Sequence, residues 1–124
     1  MNLSPLDYLR SLVADVPALN AALNRSLQSW GTETPPNTVI FAEVGDAIAS
    51  NLAALPIDVR RKVFSAIEEG MVSQDAALST AMATGLVEAL VANADTKPDL
   101  WKEFENLLGA ASIKHAVAWR NFGR

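Results

Sequence analysis

Apolar side chains recur every three or four positions along nearly the whole of this chain, and no stretch alternates apolar with β-branched or polar residues in the two-residue rhythm of a half-buried strand. A chain patterned in this way buries its apolar side chains as helices packed stripe against stripe. Prolines, glycines and capping residues cut the pattern into about seven segments. The expected fold is therefore all-α, a single bundle of about seven helices spanning residues 1–124. A chain of 124 residues can bury roughly two thirds of the surface it exposes when unfolded, enough for one real core.

Ser4, Pro5 and Asp7 read as an N-cap, a proline in the first turn and an acid beside the free amides, and so open a first helix running to about Asp15. Pro17 opens a second helix, with Leu19, Leu23 and Leu27 on one face and Gly31 as a left-handed stop. After a polar loop stiffened by Pro35 and Pro36, Thr38 is expected to cap a third helix whose core face is Phe41, Val44, Ile48, Leu52 and Leu55. Beside that face runs a stripe of small residues, Ala42, Gly45, Ala49 and Ala53, which suits close approach by a neighbouring helix.

Pro56 starts a fourth helix with Val63, Phe64, Ile67 and Met71 inward. Asp58, Arg61, Lys62, Ser65, Glu68 and Glu69 are expected outward, Asp58 and Lys62 at the favourable spacing of an acid four residues before a base. Ser73 is expected to cap a fifth helix, Gln74 to about Asn93, in which Leu78, Met82, Leu86 and Leu90 form a row with Ala81, Gly85 and Ala89 beside it. Its one internal charge is Glu88, so this helix should be central and packed on most sides. Thr96, Pro98 and Asp99 start a sixth with Leu100, Trp101, Phe104, Leu107 and Leu108 as its seam. Gly109 closes it, and Ser112 is expected to cap a last helix from Ile113 to about Phe122.

The net charge is -4, but the three bases after Gly109 leave 7 bases against 14 acids in the rest of the chain. An acidic body disfavours nucleic acid, whose phosphates need a basic face, and suits a basic protein surface. With no cysteine there is no disulfide, thiolate nucleophile or thiolate metal site, and a reducing compartment, the cytoplasm, is expected. The N-terminus lacks the basic and apolar regions of an export signal. The stretch from Ala76 to Ala94 is interrupted by Ser79, Thr80, Thr84, Glu88 and Asn93 and reads as too polar to span a bilayer.

Motifs that carry chemistry do not emerge. The chain has one histidine, His115, without the partners of a zinc site or of a serine triad, and no G-x-S-x-G, G-x-G-x-x-G, Walker or calcium-loop segment occurs. No enzymatic activity, cofactor or metal is therefore expected. Arg60-Arg61-Lys62 reads as a solvated face balanced by Asp58, Glu68 and Glu69. Thr80, Thr84 and Glu88 fall one turn apart, as expected where a buried helix meets water, although a polar-recognition groove would place them alike. Trp30, Trp101 and Trp119 are expected as core or core-edge anchors, with Trp30 beside the proline pair also a candidate binding aromatic.

Asn37 to Leu52 (NTVIFAEVGDAIASNL), Val63 to Glu68 (VFSAIE) and Leu107 to Ser112 (LLGAAS) before the Trp119-containing helix resemble small helical proteins of bacterial toxin gene clusters, the immunity proteins of polymorphic or secreted effectors. The resemblance spans about Asn37 to Phe122, rests on size and helical architecture, and assigns no site residue. It implies a cytoplasmic protein that binds and neutralises a cognate toxin. The acids projecting from the three central helices away from their apolar seams, Glu43, Asp46, Glu68, Glu69 and Glu88, are the expected contacts for such a toxin or another basic protein. A helical adaptor and a small-ligand-binding helical protein are the alternative readings.

Overall fold

Residues 4–122 are described by a computed structural model of the chain. Seven helices follow one another with short connections: α1 (Pro5–Val13), α2 (Pro17–Ser29), α3 (Asn37–Asn51), α4 (Ile57–Met71), α5 (Ala76–Ala94), α6 (Pro98–Leu107) and α7 (Ala110–Asn121). A 3-10 turn, Leu52–Ala54, follows α3, and no strand occurs among the described residues. Local sequence sets several ends. The Ser4 hydroxyl accepts from the Asp7 amide at 3.1 Å, and Gly31, at φ 60, takes the left-handed position after α2 that glycine enters without a Cβ penalty.

Three expected caps fall elsewhere. Helix α3 begins at Asn37 directly after Pro36, which leaves Thr38 inside the first turn. Asp75, not Ser73, caps α5: its Oδ1 accepts from the amides of Ala77 and Leu78, while the Ser73 hydroxyl accepts one step earlier, from Asp75 itself. Ser112 lies inside α7, fully buried, with its hydroxyl turned to another helix.

Helix α5 is the axis of the bundle. It has the length and, at 1.3, the mean hydropathy at which a helix can cross a membrane, contrary to the sequence expectation. Half of it is buried inside the protein, and Leu78, Met82, Leu86, Val87, Leu90 and Val91 all belong to the core. Its middle, Ala81–Val87, is wound as a π-helix. At the entrance to that segment Thr84 Oγ1 donates to the Thr80 carbonyl at 2.7 Å, the acceptor that α geometry would give to the amide of residue 84. The π winding lies where α5 crosses α3 through two glycines. A Cβ on Gly85 would lie 2.7 Å from the Thr38 carbonyl and 2.8 Å from Phe41 Cβ; one on Gly45 would lie 2.6 Å from the Leu86 carbonyl. The small stripe read from the sequence is thus the contact that lets these helices meet backbone to backbone. Gly85→Ala is expected to destabilise the protein by about 1 to 3 kcal/mol, since its neighbours are backbone that cannot swing away. Chemical denaturation checks this, and an unchanged midpoint would contradict the close crossing.

Phe41, Phe64, Phe104, Leu86 and Ile67 are fully buried, as expected from their spacing, whereas Met71 and Leu107 are only half-buried. Trp101 is buried and Trp30 packs at the core edge, but Trp119 is 41% exposed. Helix α7 departs furthest from a core helix, with only Ser112 and Ala116 buried along its length.

Candidate functional site

The five acids expected to form a contact face are drawn into different jobs. Glu68 leaves the outer face of α4 and caps α7: Oε2 accepts from the Ala111 amide at 2.9 Å, and Oε1 from the Ser112 amide at 2.9 Å and the Ser112 hydroxyl at 2.7 Å. A Cβ on Gly109 would lie 2.5 Å from Glu68 Cδ, so the bare glycine makes room for the carboxylate. Partial burial acts to raise the Glu68 pKa, but the hydrogen bonds from Ala111 and Ser112 outweigh it and hold the carboxyl below its ordinary value. Glu88, 18% exposed at its side chain, pairs with His115 of α7 at 2.9 Å. These two carboxylates therefore anchor α7. The helix dipole and the unmet amides at the start of α7 draw in the first, and the imidazole draws in the second.

The remaining three keep more freedom. Asp46 is exposed and accepts from Asn93 Nδ2 at 2.7 Å, a link between α3 and α5. Glu43 is half-buried, with a buried Oε2 that has no hydrogen-bond partner in the structure. Glu69 is exposed on α4 where that helix runs beside α1.

His115 has no nucleophile bonded to it among the described hydrogen bonds, because the nearby Ser112 hydroxyl is committed to Glu68. No group of three or more His, Asp or Glu side chains able to hold a metal occurs among the described residues. The basic triplet is divided as well. The Arg60 guanidinium turns to the Leu55 carbonyl at 2.8 Å, the Ala53 carbonyl at 3.3 Å and Glu103 at 3.4 Å, fastening the 3-10 turn to α6. Arg120 lies over the Trp101 ring at 4.4 Å from its centroid, so this terminal base docks on an aromatic face. Trp119 stacks on Phe122, which is 76% exposed, with centroids 5.6 Å apart.

A crevice of about 310 Å³ between α1 and α4 joins residues that the sequence kept apart. Its floor is apolar, with Leu12, Val16 and Val63 buried and Val59 and Ala66 half-buried. Its rim carries Asp15, Asp58 and Glu69 against one base, Lys62. Lys62 Nζ lies 3.9 Å from Asp15 Oδ2 across the mouth, an ion pair with the turn after α1 that the spacing of Asp58 and Lys62 did not foretell. The Tyr8 hydroxyl donates to the Ala66 carbonyl at 2.6 Å and pins the other end; burial, with Glu69 beside it, pushes its pKa up. Within the sequence the signal for this site was only the exposed acids on two separate helices, since nothing local states that α1 and α4 are neighbours. A second cleft of about 430 Å³, between the end of α3 and the start of α6, carries both signs of charge through Arg60, Lys97, Asp99 and Glu103.

A family model for a domain of unknown function matches residues 9–122 of the chain. No curated protein and no solved structure matches it.

Proposed function

The chain belongs to the DUF7674 family, a domain of unknown function, and from its own geometry we propose that it is a non-catalytic binding protein that holds and neutralises a basic partner protein, as immunity proteins do with their cognate toxins in the cytoplasm. The observation that carries this reading is the crevice between α1 and α4, where Asp15, Asp58 and Glu69 stand over an apolar floor. Apolar area at the centre with charge at the rim is the arrangement by which protein surfaces combine affinity with electrostatic choice of partner. Exposed Asp46 adds a separate carboxylate on α3, and the acidic balance of the body would steer a basic partner inward from a distance.

The test is co-expression with each protein encoded beside the gene. Wild-type protein is expected to restore growth, and Asp46→Lys with Glu69→Lys to lower affinity about tenfold while the helical content stays unchanged, with the wild-type affinity falling as salt rises. Failure of the wild type to protect against any neighbouring gene product would sink the reading.

A further inference from the structure

We infer that the crevice between α1 and α4 is the seat of one amphipathic helix of the partner, bearing two cations about three turns apart. The inference rests on the reading of the domain as a holder of a basic protein and adds the shape of the segment held. Helices α1 and α4 run antiparallel, since Tyr8 of α1 meets Ala66 while Asp15, just past the C-terminal end of α1, meets Lys62. Asp15 and Asp58 therefore mark one end of the crevice, and Glu69, beside Tyr8, marks the other. Asp58 and Glu69 are eleven residues apart on one helix, which separates them by about 16 Å along its axis.

A partner helix laid in the crevice repeats that spacing. Residues eleven apart lie about three turns apart and within roughly 20° of one face, so bases at those positions reach both acidic ends together. Apolar side chains four and seven residues after the first base then rest on Val59, Val63 and Leu12, ridge into groove. Glu69 sits in the last turn of α4, where the helix dipole adds to its negative potential and favours a cation further. Three carboxylates against one ammonium choose a basic helix over an acidic one.

Lys62 supports the assignment. It bridges the crevice to Asp15 at 3.9 Å, and the two side chains are 79% and 88% exposed. A pair so long and so wet contributes little to stability. It places one of the chain's own cations where the partner's first base would sit, and that lysine must be displaced on binding.

The probe is a blocked helical peptide of alanine and glutamine with arginines eleven positions apart and leucines four and seven after the first. It is titrated into isotope-labelled protein and followed by amide chemical shifts. Saturable shifts are expected at Tyr8, Ser11, Asp15, Val59, Lys62 and Glu69. Glu69→Lys should weaken binding about tenfold and Lys62→Ala should tighten it about threefold, whereas Glu105→Lys, exposed on α6 and off the crevice, should change it little. Thermal melts establish that each variant is folded. Shifts centred on α3 or α7, no saturable binding, or equal binding by a peptide with glutamates in place of the arginines would overturn the seat. So would equal binding by a peptide with its arginines on opposite faces. The two levels of the proposal fail separately. Peptide binding in the crevice without growth rescue by the wild type would remove the toxin reading and leave the seat. Rescue at full affinity by the Asp58→Lys, Glu69→Lys variant would remove the seat and leave the toxin reading.

Discussion

Phe104→Ala is expected to cost about 3 to 5 kcal/mol of folding stability, the range found when a large aromatic is deleted from a packed interior. Phe104 is fully buried, and with Trp101 it is one of the two residues that α6 itself buries. Its ring centroid lies 6.0 Å from that of Phe64 at a tilt of 34°, an arrangement that adds a specific ring contact to the apolar area lost. Helix α6 is ten residues long and too short to persist by its own propensity, so loosening this anchor should also expose the floor on which Trp101 and Arg120 meet. Urea denaturation followed by circular dichroism measures the loss. A variant with the wild-type midpoint would place Phe104 outside the core.

Glu68→Ala is expected to destabilise the protein by about 2 to 4 kcal/mol, because it strips acceptors from two amides and a buried hydroxyl at once. Ser112 is fully buried, so neither its amide nor its Oγ can turn to water in exchange. The effect should concentrate on α7, which buries only Ser112 and Ala116 and relies on Glu68 and Glu88 to stay docked. Amide hydrogen exchange should then show faster opening of residues 110–121 than of α5. Uniform protection across both helices would contradict the clamp.

The same carboxylate gives a pH dependence of known sign. Its folded pKa lies below its unfolded value, so its contribution is complete above the ordinary glutamate pKa and is lost as pH falls through the lower, folded one. Wild-type protein should lose stability on that acid limb, and Glu68→Ala should show a flatter one. Parallel limbs would mean that Glu68 carries no such linkage.

Both effects separate what a local pattern encodes from what it does not. The seven helices, the inward faces of α3, α4 and α6, and the central place of α5 follow from spacing, because burying a stripe that recurs every three or four residues requires a helix at that stretch. Gly31 was readable for the same reason, since its conformation is a property of its own backbone. The caps were less secure. Thr38, Ser73 and Ser112 are good capping residues, yet Pro36, Asp75 and the Gly109–Glu68 pair hold those positions.

For Glu68 the obstacle was distance along the chain. Its partners are 43 and 44 residues away, and a glutamate on the polar side of a helix looks the same in sequence whether water or another helix's amides lie beyond it. The pairing of Glu88 was hidden in the same way, because His115 lies 27 residues further on. The π winding of α5 was hidden too, since leucines and alanines satisfy either winding and the choice is made where Gly45 and Gly85 bring two backbones together.

The acids of the candidate site show the division most clearly. Composition alone determined that the body of the protein is negative, and periodicity alone placed Asp58 and Glu69 on one helix. Only the tertiary structure decided which of them remain available, taking Glu68 and Glu88 to hold α7 and setting Asp15, Asp58 and Glu69 around one apolar crevice. The physical reason is range: helix formation is decided within a turn or two of the chain, whereas a carboxylate's partner is whatever group the packing of distant stripes brings within about 3 Å.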